Sequence, residues 1–230
     1  MDIARFLQIY VIQGAFVLFF LFMAYKTLKR GRKQVNMYLS CFYLCTSIAG
    51  TINIVYANIF EEIIVYILHF ITYFILCLSL IFLLIFVLVL IVPENKINLK
   101  IQFIIIIGFV ILVLIQLAIP NGITINATTN WKPNWAWGFF FYSIVICSVF
   151  TVFPTTFYSL KIYSKLENEY LKKKWKFFLA GVFAYFFLYY GTSLSNTLND
   201  DVFRIIWSLL SLPTLISLYL IYHGVGKQLD

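Results

Sequence analysis

Charge is what this sequence has least of. Only 11% of its 230 residues are Asp, Glu, Lys or Arg, against about 25% in a soluble domain. Hydrophobic residues make up 63%, and the mean hydropathy is +0.94. Too little polar side chain is left to cover a globule in water, which excludes a soluble enzyme. Acidic residues number nine, and none falls in the middle of a long apolar run; Lys and Arg also keep to the run ends. Ion-driven pumps place such groups at depth despite their insertion cost, so this class is disfavoured. Histidine occurs twice, at His69 and His223, too few for a multi-His metal or di-haem site. No grouping of histidine with a nucleophile and a carboxylate is present. The last apolar run has no lysine to carry a retinal Schiff base. The four cysteines (Cys41, Cys45, Cys77 and Cys147) form no CxxC site and no disulfide framework. Cys41 and Cys45 share a helix face at i, i+4, a poor geometry for a disulfide. The expectation is a non-enzymatic chain without cofactor or metal.

Long apolar runs take the place of what is missing. A helix needs about 20 mostly apolar residues to cross ~30 Å of hydrocarbon. Seven stretches qualify, at 6–25, 36–58, 63–92, 101–119, 136–160, 176–196 and 203–222. They predict an all-α membrane protein, a seven-transmembrane-helix bundle forming one domain over 1–230. The first run is not a cleavable signal peptide, because its basic cluster follows the apolar stretch. Pro93, Pro120-Asn121-Gly122 and Gly224 close the third, fourth and seventh runs. Small residues at i, i+4 (Ala180 with Ala184, Gly191 with Ser195) predict close helix contacts on the sixth.

Basic residues set the orientation. Lys26, Lys29, Arg30, Arg32 and Lys33 follow the first run, and Lys96 and Lys100 follow the third. Lys161, Lys165, Lys172, Lys173, Lys174 and Lys176 separate the fifth from the sixth, and Lys227 is in the tail. Only Arg5, Lys132 and Arg204 fall on the other side. The split predicts an N-terminus outside, a C-terminus in the cytoplasm and residence in the cell membrane. The segment SKLENEYLKKKWK reads as a cytoplasmic loop. Its Lys172, Lys173, Lys174 and Lys176, with Arg30, Arg32 and Lys33, form a surface for anionic lipid or an acidic partner, or they only fix topology. No nucleic-acid partner is expected, because the basic residues sit in short blocks between apolar runs. Trp131, Trp135 and Trp137, and on the inner side Tyr25, Tyr38, Tyr163, Trp175 and Tyr222, read as interfacial rings. Asn126-Ala127-Thr128 is a glycosylation sequon in the longest outer loop.

The uncharged polar groups gather in the outer half. At 1.5 Å per residue, Gln13 lies ~12 Å and His69 ~10 Å below the outer end of their helices. Asn53, Gln116, Ser195 and Asn196 lie near the outer ends of theirs. Two readings stay open: interhelical glue, or a pocket open to the outside whose candidate residues are Gln13, Asn53, His69, Gln116, Tyr189, Asn196 and Trp207. Tyr185, Tyr190, Phe141 and Tyr142 are further candidates for its walls. Pro154 and Pro213 stand inside helices and are hinge candidates.

With seven spans, an aromatic approach to the fifth helix (Trp135-Ala136-Trp137-Gly138-Phe139-Phe140) and a basic segment before the sixth, the chain resembles the seven-helix, N-out sensor region at the front of many archaeal and bacterial histidine kinases. The end of the last helix, Leu220-Ile221-Tyr222-His223-Gly224-Val225-Gly226-Lys227, also fits. In that family the last helix runs on into PAS or kinase modules, whereas this sequence ends at Asp230. The resemblance therefore implies a receptor-like bundle that signals through a separate cytoplasmic or membrane partner. Two other classes compete. SWEET-type sugar carriers share the layout, and Val152-Phe153-Pro154 is similar to their proline-bearing helix, but the first span has no matching proline. A non-catalytic membrane scaffold is the third. A G-protein-coupled receptor is disfavoured, since Leu90-Ile91-Val92-Pro93-Glu94 lacks the acidic-Arg switch.

Overall fold

The structure, a computed structural model, describes residues 7–31, 33–92 and 96–226. Arg5, Arg32, Pro93, Glu94 and Lys227, all used above, lie outside the described residues. A π-helical turn (Leu7–Gln13) leads into α1 (Gly14–Lys29), followed by α2 (Gln34–Tyr56), α3 (Glu62–Ile91) and α4 (Leu99–Ile115), which ends in a 3₁₀ turn (Gln116–Ala118). A two-stranded hairpin, β1 (Ile123–Thr124) and β2 (Asn134–Trp135), precedes α5 (Trp137–Cys147). A π-helical segment (Ser148–Val152) joins α5 to α6 (Phe153–Lys165); then come α7 (Glu169–Leu198), α8 (Asp201–Ser211) and α9 (Thr214–Ile221), with a final π turn (Tyr222–Gly226).

Six helical stretches among the described residues are long and apolar enough to cross a membrane: Ile9–Lys29, Gln34–Tyr56, Glu62–Ile91, Leu99–Ala118, Trp137–Lys165 and Glu169–Leu198. Each agrees in place with one of the first six runs. The seventh run is different. It is divided at Leu212–Pro213 into α8 and α9, neither long enough to span alone. Proline has no N–H to bond the Leu209 carbonyl, which takes the Leu212 N–H in a tighter turn instead.

α3 is the axis of the bundle. Its 30 residues reach about 45 Å, beyond the hydrocarbon thickness. Leu83, Leu84, Ile85, Phe86, Val87 and Leu88 are all buried in succession. A helix apolar on every side belongs at the centre of a bundle, and α2, α4 and α6 pack around this one. By contrast α4 turns Phe103, Ile104, Ile107 and Ile111 outward, the pattern of a helix facing lipid.

Local chemistry explains most boundaries. Asn98, Asn168 and Asp200 cap the N-termini of α4, α7 and α8 through side-chain oxygens that accept backbone N–H groups. The Asn168 cap corrects the expected cytoplasmic loop. α6 ends at Lys165 and α7 begins at Glu169, so Lys172–Lys174 and Lys176 ride on the first turns of a helix. Lysine is a good helix former, and capping outweighed the polar composition. Pro154 sits just after the π-helical segment, where the widened turn absorbs its missing donor. Thr151 Oγ1 bonds the Cys147 carbonyl within the same turn, at 2.5 Å.

Candidate functional site

Hydrogen bonds sort the helix ends into two faces. Arg30 bonds Tyr222, Tyr38 bonds Gln102 and Lys174 bonds His223, which brings the basic ends together. At the opposite end Tyr10 meets Asn58, Lys132 meets Asp201 and Arg204 meets the Pro133 carbonyl.

The end away from the lysines is covered by the hairpin. Its loop is held by Asn126, whose Oδ1 accepts from Thr128 N, Thr128 Oγ1 and Thr129 N at 3.0, 2.6 and 3.3 Å. The sequon asparagine thus serves as the cap of a short turn. Beneath the hairpin lies His69, 5% exposed. Trp135 Nε1 donates to His69 Nε2 at 3.0 Å, and His69 Nδ1 lies 2.8 Å from Tyr56 Oη. An indole N–H only donates, so Nε2 is the acceptor and the neutral ring carries its proton on Nδ1. Both ring nitrogens are therefore matched by protein groups. Trp135 was expected at the interface. It is buried because a buried indole needs an acceptor, and His69 supplies one. Trp175 departs likewise: it is buried and donates to the Ser159 carbonyl at 2.8 Å. Trp137 is 51% exposed, as an interfacial ring would be.

Trp135 also stacks edge-on against Tyr73 at 5.4 Å, which carries the polar path downward. Tyr73 Oη meets Ser143 Oγ at 2.8 Å, and Ser143 Oγ meets Tyr189 Oη at 2.7 Å. One turn deeper, the thiols of Cys77 and Cys147 approach to 3.8 Å. Tyr185 bonds Ser79 and Thr46 at 2.5 and 3.1 Å, and Tyr190 bonds Ser148 at 2.6 Å. These contacts tie α2, α3, α5 and α7 together at mid-depth. The sequence carried a signal for them: Tyr73 with Cys77 and Ser143 with Cys147 are matched i, i+4 pairs on facing helices.

The pocket candidates do not form one ring. Asn53 Nδ2 donates to Gln13 Oε1 at 2.9 Å, joining α2 to the first helix. Tyr189 belongs to the Ser143 group, and Trp207 donates to Thr192 Oγ1 at 3.2 Å. Asn196 is half-buried on α7. Gln116 is 2% exposed, and neither amide atom has a hydrogen-bond partner. Two open recesses occur instead at the basic end, one between Lys33–Val35 and Val89–Val92, the other beside Gln34 and Ile97–Lys100.

Of the basic candidates, Lys33, Lys173 and Lys176 are exposed, and Lys172 lies 3.5 Å from Glu169. Lys174 and Arg30 turn inward. Lys174 Nζ is 3.0 Å from His223 Nε2, and Arg30 lies over the Tyr222 ring at 4.7 Å. Gly224 lets the final turn approach closely, since a Cβ there would come within 2.5 Å of Phe178 N and 2.7 Å of the Lys174 carbonyl oxygen.

Compared with protein families, curated proteins and solved structures, the chain matches no family model, no curated protein and no solved structure. Its chemistry must be argued from its own residues. What the described residues offer is side-chain hydrogen bonds and stacked rings that link helices.

Proposed function

We propose that the chain is a seven-crossing sensor of the cell membrane, N-terminus outside and C-terminus cytoplasmic, that passes a change at its outer cap to a separate effector. The orientation rests on the positive-inside rule, with the lysine-rich face in the cytoplasm against anionic lipid. The seventh crossing is the pair α8–α9, counted as one interrupted span. It works without enzyme chemistry, and sugar carriage or scaffolding are the competing roles.

One observation carries the reading. The proline-broken last helix holds both faces of the bundle: Lys132 and Pro133 of the hairpin bond Asp201 and Arg204 on α8, while Arg30 and Lys174 hold Tyr222 and His223 just past α9. A shift of the hairpin pulls on α8, and the break at Pro213 turns that pull into a movement at the basic face. The test places a fluorophore at exposed Lys173 in reconstituted vesicles and perturbs the cap by His69→Ala or Arg204→Gln. A sensor answers with a changed fluorophore environment and flat solute uptake. An unmoved fluorophore in both variants sinks the reading, and uptake of sugars above that of empty vesicles returns the carrier.

A further inference from the structure

The hairpin loop holds a side chain of which the fold uses only half. Asn126 heads the one Asn-X-Ser/Thr triplet of the sequence, Asn126-Ala127-Thr128. Its Oδ1 takes the backbone N–H groups of Thr128 and Thr129, and Thr128 Oγ1 donates to the same oxygen at 2.6 Å. Two backbone N–H groups on one atom fix which end of the amide is oxygen. Nδ2 is the other end. Among the described residues it donates to nothing, and it is not sealed from solvent. Capping alone does not call for this residue, since Asp or Ser would cap as well. The capping box is completed by Thr129, whose Oγ1 accepts from Asn126 N at 3.0 Å. What asparagine adds over aspartate is the nitrogen, and what Thr128 adds is a hydroxyl held against the amide. Neither is spent on the backbone of the turn.

The surroundings leave room for a substituent. Ile123, Ile125 and Trp135 turn inward and are buried, while Ala127 and Thr128 are exposed at the tip. Left-handed Asn130 (φ 51°) and Trp131 (φ 57°) fold the chain back, and Trp131 N returns to the Asn126 carbonyl at 2.9 Å. A closed turn thus presents Asn126 at the face away from the lysines. We propose that Asn126 is an N-glycosylation site, its Nδ2 carrying a saccharide on the cap of the bundle. Nδ2 attacks the anomeric carbon of a saccharide carried on a polyprenyl diphosphate. The N–C bond forms as the C–O bond to the diphosphate breaks. The lipid diphosphate leaves with that electron pair, and one Nδ2 proton passes to a base of the transferase. The product amide keeps Oδ1 as an acceptor, so the cap survives and the folded hairpin bears the sugar. The site rests on the orientation proposed above, because this transfer takes place on the face away from the cytoplasm.

The test makes the full chain in microsomes that hold the transferase and its lipid-linked donor. Gel mobility is read before and after peptide N-glycosidase, and a C-terminal tag is scored for protease protection. Wild type, T128S and T129A gain one glycan that the glycosidase removes, leaving an aspartate at 126 for tandem mass spectrometry to locate. N126Q and T128A gain none. T129A breaks the capping box and keeps the triplet, so its glycan assigns the acceptor to the triplet and not to the turn. Y170T gives Asn168 the same triplet at the basic face. The local geometry there is alike, with Asn168 Oδ1 accepting from Tyr170 N and Leu171 N at 2.9 and 3.2 Å, so the two sites differ in the face they occupy. N126Q/Y170T therefore stays bare, with its tag digested. A bare wild type with a digested tag overturns the site and leaves the orientation standing. A glycan on N126Q/Y170T, with wild type bare and the tag protected, overturns the orientation and takes the site with it. Should T128A be glycosylated as fully as wild type, the proposal also falls.

Discussion

A missing side chain at Gly191 does as much as any side chain present. A Cβ there would meet the Trp207 ring at 2.0–2.3 Å, so α8 seats its indole in the groove that the glycine leaves in α7. The i, i+4 spacing of Gly191 and Ser195 pointed to a contact, and the contact is with a ring and not a helix backbone. Ala180, paired with Ala184 on the same reasoning, faces outward. Gly191→Ala should lower stability by about 1–3 kcal/mol through overpacking, read as a lower thermal midpoint in lipid nanodiscs and relieved by Trp207→Leu. The Lys132–Asp201 pair, 2.7 Å apart, makes a second prediction at this scale. The hydrogen bond from Lys132, and then its charge, hold the Asp201 carboxyl below its usual value. A carboxyl depressed in the folded state stabilises above its unfolded pKa, about 3.9, and loses that contribution as pH falls through the lower folded value. The pair is exposed, so the loss is at most ~1 kcal/mol. Thermal midpoints between about pH 6 and pH 3 should fall less steeply in Asp201→Asn, and a common slope would refute the assignment.

Helices were the most legible part of the sequence, because bilayer thickness dictates how long an apolar run must be. Glu62–Ile91 stands almost where composition alone puts it. What composition could not give was the interior of a run. Pro154 and Pro213 read alike as hinge candidates, yet the first is absorbed by a π-helical widening in an otherwise continuous span and the second divides its apolar run into two short helices. The difference lies in neighbours: Thr151 bonds back within the widened turn, while Leu212 closes a tight turn on Leu209. Pro213→Ala restores the missing donor and should fuse α8 with α9, stabilising the join by up to ~3 kcal/mol. Slower amide exchange across 209–214 is the measurement, and unchanged exchange would mean that the break does not depend on the proline. The polar partners were harder still to foresee. Composition placed His69 and Trp135 near one end, but only the crossing of α2, α3 and the hairpin decides that they meet each other and Tyr56.

At the scale of the whole molecule, the two faces differ in kind. One is closed by a folded hairpin tied to α8; the other has open recesses, exposed lysines and two cations, Arg30 and Lys174, turned inward. If the lysines hold the orientation, changing Lys172, Lys173, Lys174 and Lys176 together to Gln should give a mixed population of insertion directions, scored by protease protection of terminal tags. A uniform population identical to wild type would shift the credit to the cluster after α1.

The hairpin's ties also order the assembly of the protein in time. Lys132 and Pro133 find their partners on α8, made some seventy residues later in the chain. During synthesis the hairpin must therefore wait, unfastened, until the final segment leaves the ribosome. A nascent chain halted before Asp200 should be clipped between 125 and 134 by protease supplied to the hairpin face, and one released past Arg204 should resist, so that digestion of stalled chains times the closing of the cap.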